Sequence, residues 1–465
     1  MVSVESVSTG QPVEAGESVR PGQWVDSGPG LSDLDFTPLT LQITTDRYTS
    51  REYAERERVS IWERVWQVVG RADELPDAGD RKEFHIFDQS YFIVRGRDGV
   101  IRGFVNACRH RGNILCRGTG GGARINCPYH LWSYDLQGNL VGVGRSDLDA
   151  EIDKAEHSLL QVSVECFAGF VFINPDPNAA PLVEFFGDEV AELLAPYHLD
   201  EMTTVLNVRE SLECNWKVVI DAFSEGYHIA GIHPELLRVI NIDPTTVRYR
   251  FFEDHSVSVA PFEVKNVENF GPEDELEGIR ELPGTFPGIA AYLPRLEELA
   301  DSYRNTDGVL EYPEGVSGRS LLQQATRETL TGMGFDVSGL TDAQMSDNHG
   351  WVLFPNFFMT VRAGEATVIV ATPHPDGDPA RCVWQIISVM YLPAEYREAA
   401  RAQQIEVEEP GSFKYFLALQ QDYEQMPRQQ IGLRNKSLEY MSLIREEVPI
   451  AKFHSVLDRY LAGKG

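Results

Sequence analysis

Positive charge is scarce in this 465-residue chain: 41 Lys and Arg stand against 71 Asp and Glu, for a formal net charge of −30. A nucleic-acid surface needs a basic footprint, so that class of partner is excluded. A docking partner of opposite sign suits the chain better. No run of 18 or more apolar residues occurs, so no transmembrane helix is expected. The opening stretch MVSVESVSTGQPVEAGESV has neither a basic n-region nor an apolar h-region, and a cytoplasmic protein without a membrane partner is expected. Cysteine is sparse as well. Six cysteines in 465 residues are too few for a disulfide framework, so Cys108, Cys116 and Cys127 invite a metal explanation. Also missing are internal repeats, a Gly-Lys-Ser/Thr phosphate loop after the glycines at 118–122, a Rossmann glycine fingerprint and a flavin motif.

What is present divides by period. Residues 1–45 are mostly rich in Ser, Gly, Val and Pro without periodicity, and are expected to form a flexible arm. A charged amphipathic helix is expected from Tyr48 to Val69, with Ile61, Trp62, Val65, Trp66 and Val69 on its apolar side. The period then changes to two through FHIFDQSYFIVRGRDGVIRGFVNAC, with a turn at Asp98-Gly99, and on through LLQVSVECFAGFVFINPDP. Residues 46–170 thus read as a small all-β domain behind a helix, bounded by the Pro- and Asn-rich stretch 174–181. Residues 171–465 read as a larger α+β domain. VEFFGDEVAELLAPYHLDEM is expected to be a helix and TTVLNVRESLECNWK a strand. More strands are expected at 245–265 and 350–395, a helical loop-rich region near 285–345, and a helical tail from Pro393.

Two stretches carry chemistry. In ECNWKVVIDAFSEGYHIAGIHPELL (213–237), Val218, Val219, Ala222 and Phe223 recur at helical spacing and lead into Glu225, Tyr227, His228 and His233. Glu225 and His228, three apart, share one helix face. His228 and His233 are about 140° apart on an ideal helix, so a shared metal requires the helix to widen or to end near Gly231, ahead of Pro234. Two imidazoles and one carboxylate on one side of an iron form the ligand set of a non-haem Fe(II) oxygenase. Two neighbouring histidines also arise by chance, but a second cluster lies upstream. There Cys108-Arg109-His110 and Cys127-Pro128-Tyr129-His130 stand sixteen residues apart, each arm offering a thiolate and an imidazole. Such a set holds a tetrahedral zinc, or a [2Fe–2S] cluster of the Rieske kind with both thiolates on one iron and both imidazoles on the other. The order matches neither the usual zinc finger nor a four-cysteine ribbon, which favours the cluster. Cys116 reads as a buried or incidental thiol, and Trp132 as packing beneath the second arm. Phe354, Phe357, Phe358, Trp351 and Trp384 are candidates either for an apolar pocket or for sheet core.

On CRHRG at 108–112, CPYHLWSYDLQGNL at 127–140 and NWKVVIDAFSEGYHIAGIH at 215–233, the chain resembles the large (alpha) subunit of Rieske non-haem iron ring-hydroxylating oxygenases over residues 46–460. The resemblance implies an all-β Rieske domain and a catalytic domain with a curved antiparallel sheet covered by helices, helix-grip-like. It implies cluster ligands Cys108, His110, Cys127 and His130. For the mononuclear Fe(2+) it implies His228, His233 and, in QDYEQMPRQQIGL, Asp422, with Glu424 as the other candidate. It implies a multicomponent mono- or dioxygenase fed from NAD(P)H by a separate reductase or ferredoxin, acting with O2 on an aromatic or other apolar substrate. It also implies a homotrimer, with or without a small beta subunit, in which Glu225 bridges His228 to His110 or His130 of a neighbouring copy. The sequence departs from the family at two places. Leu131 stands where the family usually has Gly. Glu225 stands where ring dioxygenases commonly have Asp, and glutamate there occurs in relatives acting on quaternary ammonium or other non-aromatic substrates.

Overall fold

The computed structural model describes residues 24–26, 40–145, 152–238, 240, 246–262 and 270–464. Most of the arm expected over 1–45 lies outside them. Within it, Trp24–Asp26 pairs with Arg248–Phe251. Gln42–Thr44 pairs with Tyr440–Ser442, with Ile43 fully buried, so the arm's end is a strand where flexibility was expected.

The helix expected over 48–69 ends early. Asp46–Thr49 and Arg51–Glu57 are helical, Arg58–Trp62 widens into a π-turn, and Gln67–Arg71 is a strand paired with Phe170–Asn174. Every residue of Gln67–Arg71 is buried. A strand covered on both faces reads as an unbroken apolar run, which periodicity cannot tell from a buried helix. An antiparallel sheet, seven-stranded among the described residues, follows, in the spatial order Gln67–Arg71, Phe170–Asn174, Gln161–Phe167, Ile101–Val105, Gln89–Arg95, Arg81–Ile86, Thr119–Gly120. Ile125–Asn126, Ser133–Tyr134 and Leu140–Gly142 make a smaller sheet that carries the second Cys/His arm.

The second sheet has nine strands among the described residues and curves as a half-barrel. Its centre runs Asn348–Leu353, Phe357–Arg362, Glu365–Pro373, Cys382–Met390 and Thr203–Leu212, each antiparallel to the next. The expected helix at 183–202 is interrupted at Gly187, whose φ of 82° separates Leu182–Phe186 from Asp188–Leu194. Helices Pro272–Glu281, Leu293–Asp301 and Gly318–Gly332 close a satellite core around Leu276, Leu296 and Leu321. Trp351, Phe357, Phe358 and Trp384 are buried sheet core, and Phe354, buried in the turn between two of its strands, packs on Phe453 and Tyr460. Phe223, at the end of helix Trp216–Phe223, stacks on Phe358 at 5.4 Å.

The segment before Gln67 packs Ile61, Trp62 and Val65 in one core with Ile93 and Ile173 of the seven-stranded sheet, and it also reaches helices later in the chain. Its Tyr48 hydroxyl donates to Asp221 at 2.5 Å and meets His454 Nε2 at 2.9 Å. Its Glu57 pairs with Lys217 at 2.7 Å, with both side chains buried. The N-terminal segment therefore clasps the helix Trp216–Phe223 and the C-terminal helix Val448–Leu461. Among the described residues, no helix is long and apolar enough to cross a membrane.

Candidate metal centres

The helix Trp216–Phe223 begins at Asn215, whose side chain accepts from the Lys217 N–H. It stops at Ser224, leaving Glu225 in the break that follows and not on the helical turn expected for it. A single turn, Ile229–Ile232, then has His228 at its N-cap and His233 at its C-cap. His233 has left helical geometry (φ −121°, ψ 59°) and Pro234 follows. Ending the helix between the histidines brings together side chains that a regular α-helix would splay.

The third partner arrives from helix Leu417–Leu433. Asp422 Oδ1 lies 3.0 Å from His233 Nε2 and 3.6 Å from His228 Nε2. One ligand atom from each of the three side chains falls within 4.8 Å of the others, and no other such group occurs among the described residues. The outer nitrogens are also held. His228 Nδ1 is 2.6 Å from Glu225 Oε1, and His233 Nδ1 is 2.7 Å from Gln421 Oε1. Gln421, the neighbour of Asp422, was missed in the sequence because nothing in a lone glutamine marks the direction it faces. Glu424 turns elsewhere, accepting from Gln420 at the exposed side.

Burial opposes charge on both imidazoles, yet the hydrogen bonds and fields of Glu225 and Asp422 on His228 outweigh it, and Asp422 does the same for His233; both are raised above the usual range. Every ring nitrogen thus faces an acceptor, and two carboxylates lie beside two imidazoles. A dication replacing the two Nε2 protons satisfies that arrangement, so the donor set fits a 2-His-1-carboxylate iron.

The upstream arms are two closed turns. Cys108 N–H donates to Asn113 O at 2.8 Å and Gly112 N–H to Cys108 O at 2.9 Å; in the other arm Cys127 N–H donates to Trp132 O at 2.8 Å. The buried Asn106 carboxamide ties the first arm down, accepting from Leu115 and Cys116 N–H and donating to Cys116 O at 2.7 Å. Both thiols are buried, while His110 is exposed and His130 half-exposed. The two imidazole rings lie 4.6 Å apart. Sulfur inward and imidazole outward is the polarity that a [2Fe–2S] cluster with thiolates on one iron and imidazoles on the other requires. Burial pushes the Cys108 thiol up, against the Tyr134 hydroxyl 3.3 Å away. Trp132 stacks on His110 at 4.9 Å, so it supports the first arm where the second was expected. Cys116 is buried beside the arms and its thiol is pushed up to about 11 by that burial. Leu131 takes the left-handed conformation (φ 59°) with its side chain 64 % exposed. A further positioning residue is Gly144, where an added Cβ would collide with the His130 carbonyl oxygen.

Residues 65–149 match the model of the Rieske [2Fe-2S] domain, and residues 197–463 that of the ring hydroxylating alpha subunit (catalytic domain). The carnitine monooxygenase oxygenase subunit of Escherichia coli (strain K12) is 34% identical over 200 residues, covering 42% of this chain and 53% of that protein. The glycine betaine monooxygenase oxygenase subunit of Chromohalobacter salexigens is 37% identical over 191 residues, covering 41% and 42%. The matched stretch spans about half the length of these relatives or less. Among solved structures, naphthalene 1,2-dioxygenase with indole bound has a TM-score of 0.64 at 18% identity, covering 91% of this chain and 93% of that one. A quaternary ammonium Rieske monooxygenase, described for carnitine oxidation and inter-subunit electron transfer, gives 0.62 at 20%, covering 90% and 95%. Both share the fold. With the catalytic-domain model matching more than half of its length behind a Rieske domain, the chain belongs to the ring-hydroxylating oxygenase alpha subunits, whose cofactors are a [2Fe–2S] cluster and a mononuclear iron.

Proposed function

We propose that the protein is the terminal oxygenase component of a multicomponent system, taking electrons from a separate reductase or ferredoxin and using O2 to hydroxylate a small organic substrate. The observation that carries this is the convergence of His228, His233 and Asp422, with Glu225 on the outer nitrogen of His228. In this proposal Cys108, Cys127, His110 and His130 hold the cluster within a unit at 46–170, and the three convergent residues hold the iron within 171–465. When bound, the cluster supplies single electrons and the iron supplies the site where oxygen is activated. The chain's own residues do the rest. Glu225 and Gln421 fix the two imidazole planes, Asp422 contributes the compensating anion, and Asn106 and Trp132 hold the arms. In this reading Glu225, three residues before His228 and bonded to its Nδ1, also meets His110 or His130 of a neighbouring copy in a trimer.

An aromatic or other apolar substrate is one reading of the substrate class. Glu225 in place of aspartate, together with the carnitine and glycine betaine relatives, favours the second, a quaternary ammonium compound. Turnover with a reductase under labelled O2, offering aromatic, terpenoid and quaternary-amine compounds, tests both. Labelled oxygen in a product supports the proposal and its identity decides the class; a protein that holds both metal groups, takes electrons and labels nothing overturns it.

A further inference from the structure

Behind the proposed iron ligands, on the sheet side, lies a buried cluster of oxidisable side chains for which the reaction above has no use. Trp384 is fully buried, with its ring 6.0 Å from Phe223 and 6.0 Å from Tyr423. Phe223 ends the helix leading to Glu225, and Tyr423 directly follows Asp422, so Trp384 touches both segments that build the site. Its indole N–H donates to the Tyr415 hydroxyl at 3.0 Å, the rings being 5.7 Å apart. Tyr415 in turn donates to Glu210 Oε1 at 2.5 Å. The other oxygen of Glu210 accepts from Tyr423 at 3.2 Å and from the Gly411 N–H at 3.0 Å. Glu210 is 3 % exposed, and among the described residues no cation pairs with it. Tyr415 lies near the surface: its ring is 4.9 Å from half-buried Phe413, and Ser412 and Lys414 on either side are exposed.

Packing alone would be served by phenylalanines, without the cost of desolvating a carboxylate, two phenols and an indole. A carboxylate whose partners are phenols is a ready acceptor for a phenolic proton, and that proton must leave when a tyrosine loses an electron. Building on the oxygen-activating role proposed above, we propose that Trp384, Tyr415 and Glu210 form a protective relay. It passes electrons from the protein surface toward the iron site when an oxidant arises there with no substrate to consume it.

Hydrogen peroxide illustrates the balance, taking two electrons and two protons to become two waters. Each electron leaves the Trp384–Tyr415 pair, while the Tyr415 proton crosses to Glu210 along the existing hydrogen bond. An external thiol then re-reduces the ring and the proton returns. Two thiols give one disulfide and release two protons, so the net change is H2O2 + 2 RSH → RSSR + 2 H2O.

The test mixes substrate-free holoenzyme with hydrogen peroxide, freezes it within milliseconds and records EPR spectra, with ring-deuterated tyrosine to identify the radical. A tyrosyl signal is expected in the unaltered protein and its loss in Tyr415→Phe and Trp384→Phe. Peptide mass spectrometry should show oxidation moving onto His228 and His233 in those variants. Glu210→Gln keeps a hydrogen-bonding group of the same size but accepts no proton, so it should lose the radical with the fold intact by circular dichroism. A radical yield in Tyr415→Phe or Glu210→Gln equal to that of the unaltered protein, or no tyrosyl signal in the unaltered protein, overturns the relay. Iron content and the spectrum of the reduced cluster are read on the same samples. Iron present without a radical sinks the relay alone, whereas a protein that binds no iron sinks the oxygenase proposal and the relay with it.

Discussion

Asp422 and Glu424 stand two residues apart on one helix, about 200° around its axis, and only Asp422 turns toward the histidines. Asp422→Ala should therefore empty the mononuclear site and abolish product, because two imidazoles alone leave a dication without its anion. Glu424→Ala should leave metal content unchanged; iron analysis of both variants decides it, and the reverse ranking would move the ligand. Gln421→Leu should lower iron affinity by roughly 10–100-fold, as removal of a group that orients a ligand does. The candidate residues were legible because Cys-x-His, Cys-x-x-His and Glu-x-x-His occur together in one chain. Gln421, Asn106 and Gly144 were not, since their roles depend on which way a common side chain or a bare Cα faces once the chain has folded. Leu131 is a residue whose cost shows only in its backbone angle. Leu131→Gly relieves the left-handed strain for a gain of about 1 kcal/mol less the entropy glycine adds to the unfolded chain. Thermal unfolding followed at the cluster's visible absorption should show the midpoint unchanged or raised, and never lowered.

Elements were legible where turn residues bracket them and obscure where an apolar run carries on from a neighbouring element of another kind. Arg81–Ile86, Gln89–Arg95 and Ile101–Val105 are set off by the turns between them, such as Asp98-Gly99, although Tyr91–Val94 are all buried, whereas Gln67–Arg71 lay hidden inside an apolar run that continued a real helix. The helix Trp216–Phe223 carries Lys217 into the core, where burial pulls its ammonium down and pushes Glu57 up while the pair holds both charged. Lys217→Met strands the Glu57 carboxylate and should cost about 3–5 kcal/mol in urea unfolding at pH 7, most of it regained in Glu57→Gln/Lys217→Met. A second inter-element tie is His255, fully desolvated, its pKa lowered by that burial to about 4. Its Nδ1 accepts from the Phe354 N–H at 3.0 Å, so Nε2–H donates to Phe185 O at 2.9 Å and no nitrogen is free for a second proton. The folded state then binds that proton less readily than the unfolded chain. Stability from this group is complete above about pH 6.5, the unfolded histidine value, and declines as pH falls toward 4. His349, also near 4 through burial, adds to the same slope. Urea midpoints measured from pH 7 to 4 should fall, and His255→Asn should be weaker at pH 7 yet lose less on acidification.

At the scale of the whole molecule, the exposed imidazole of His110, the half-exposed one of His130 and the acid at Glu225 belong to different sheets' surroundings, which is why assembly enters the proposed function. Glu225→Gln should keep both metal groups and bind substrate while its reduced cluster fails to yield product in a single turnover. Normal single-turnover yield from that variant, or full activity of a strictly monomeric preparation by sedimentation, would show that no neighbouring copy is needed. The two centres also differ in how far along the chain their parts lie. All four Cys and His residues of the arms fall within 108–130, and their sheet is complete once Phe170–Asn174 has formed. The proposed iron site needs Asp422, and the clasp on its helix needs His454. Synthesis from the ribosome therefore offers the cell two separate occasions for metal delivery. On the proposed assignment the cluster arms and their sheet are complete before any of Leu417–Leu433 is made, whereas the iron residues can converge only once Asp422 has joined His228 and His233.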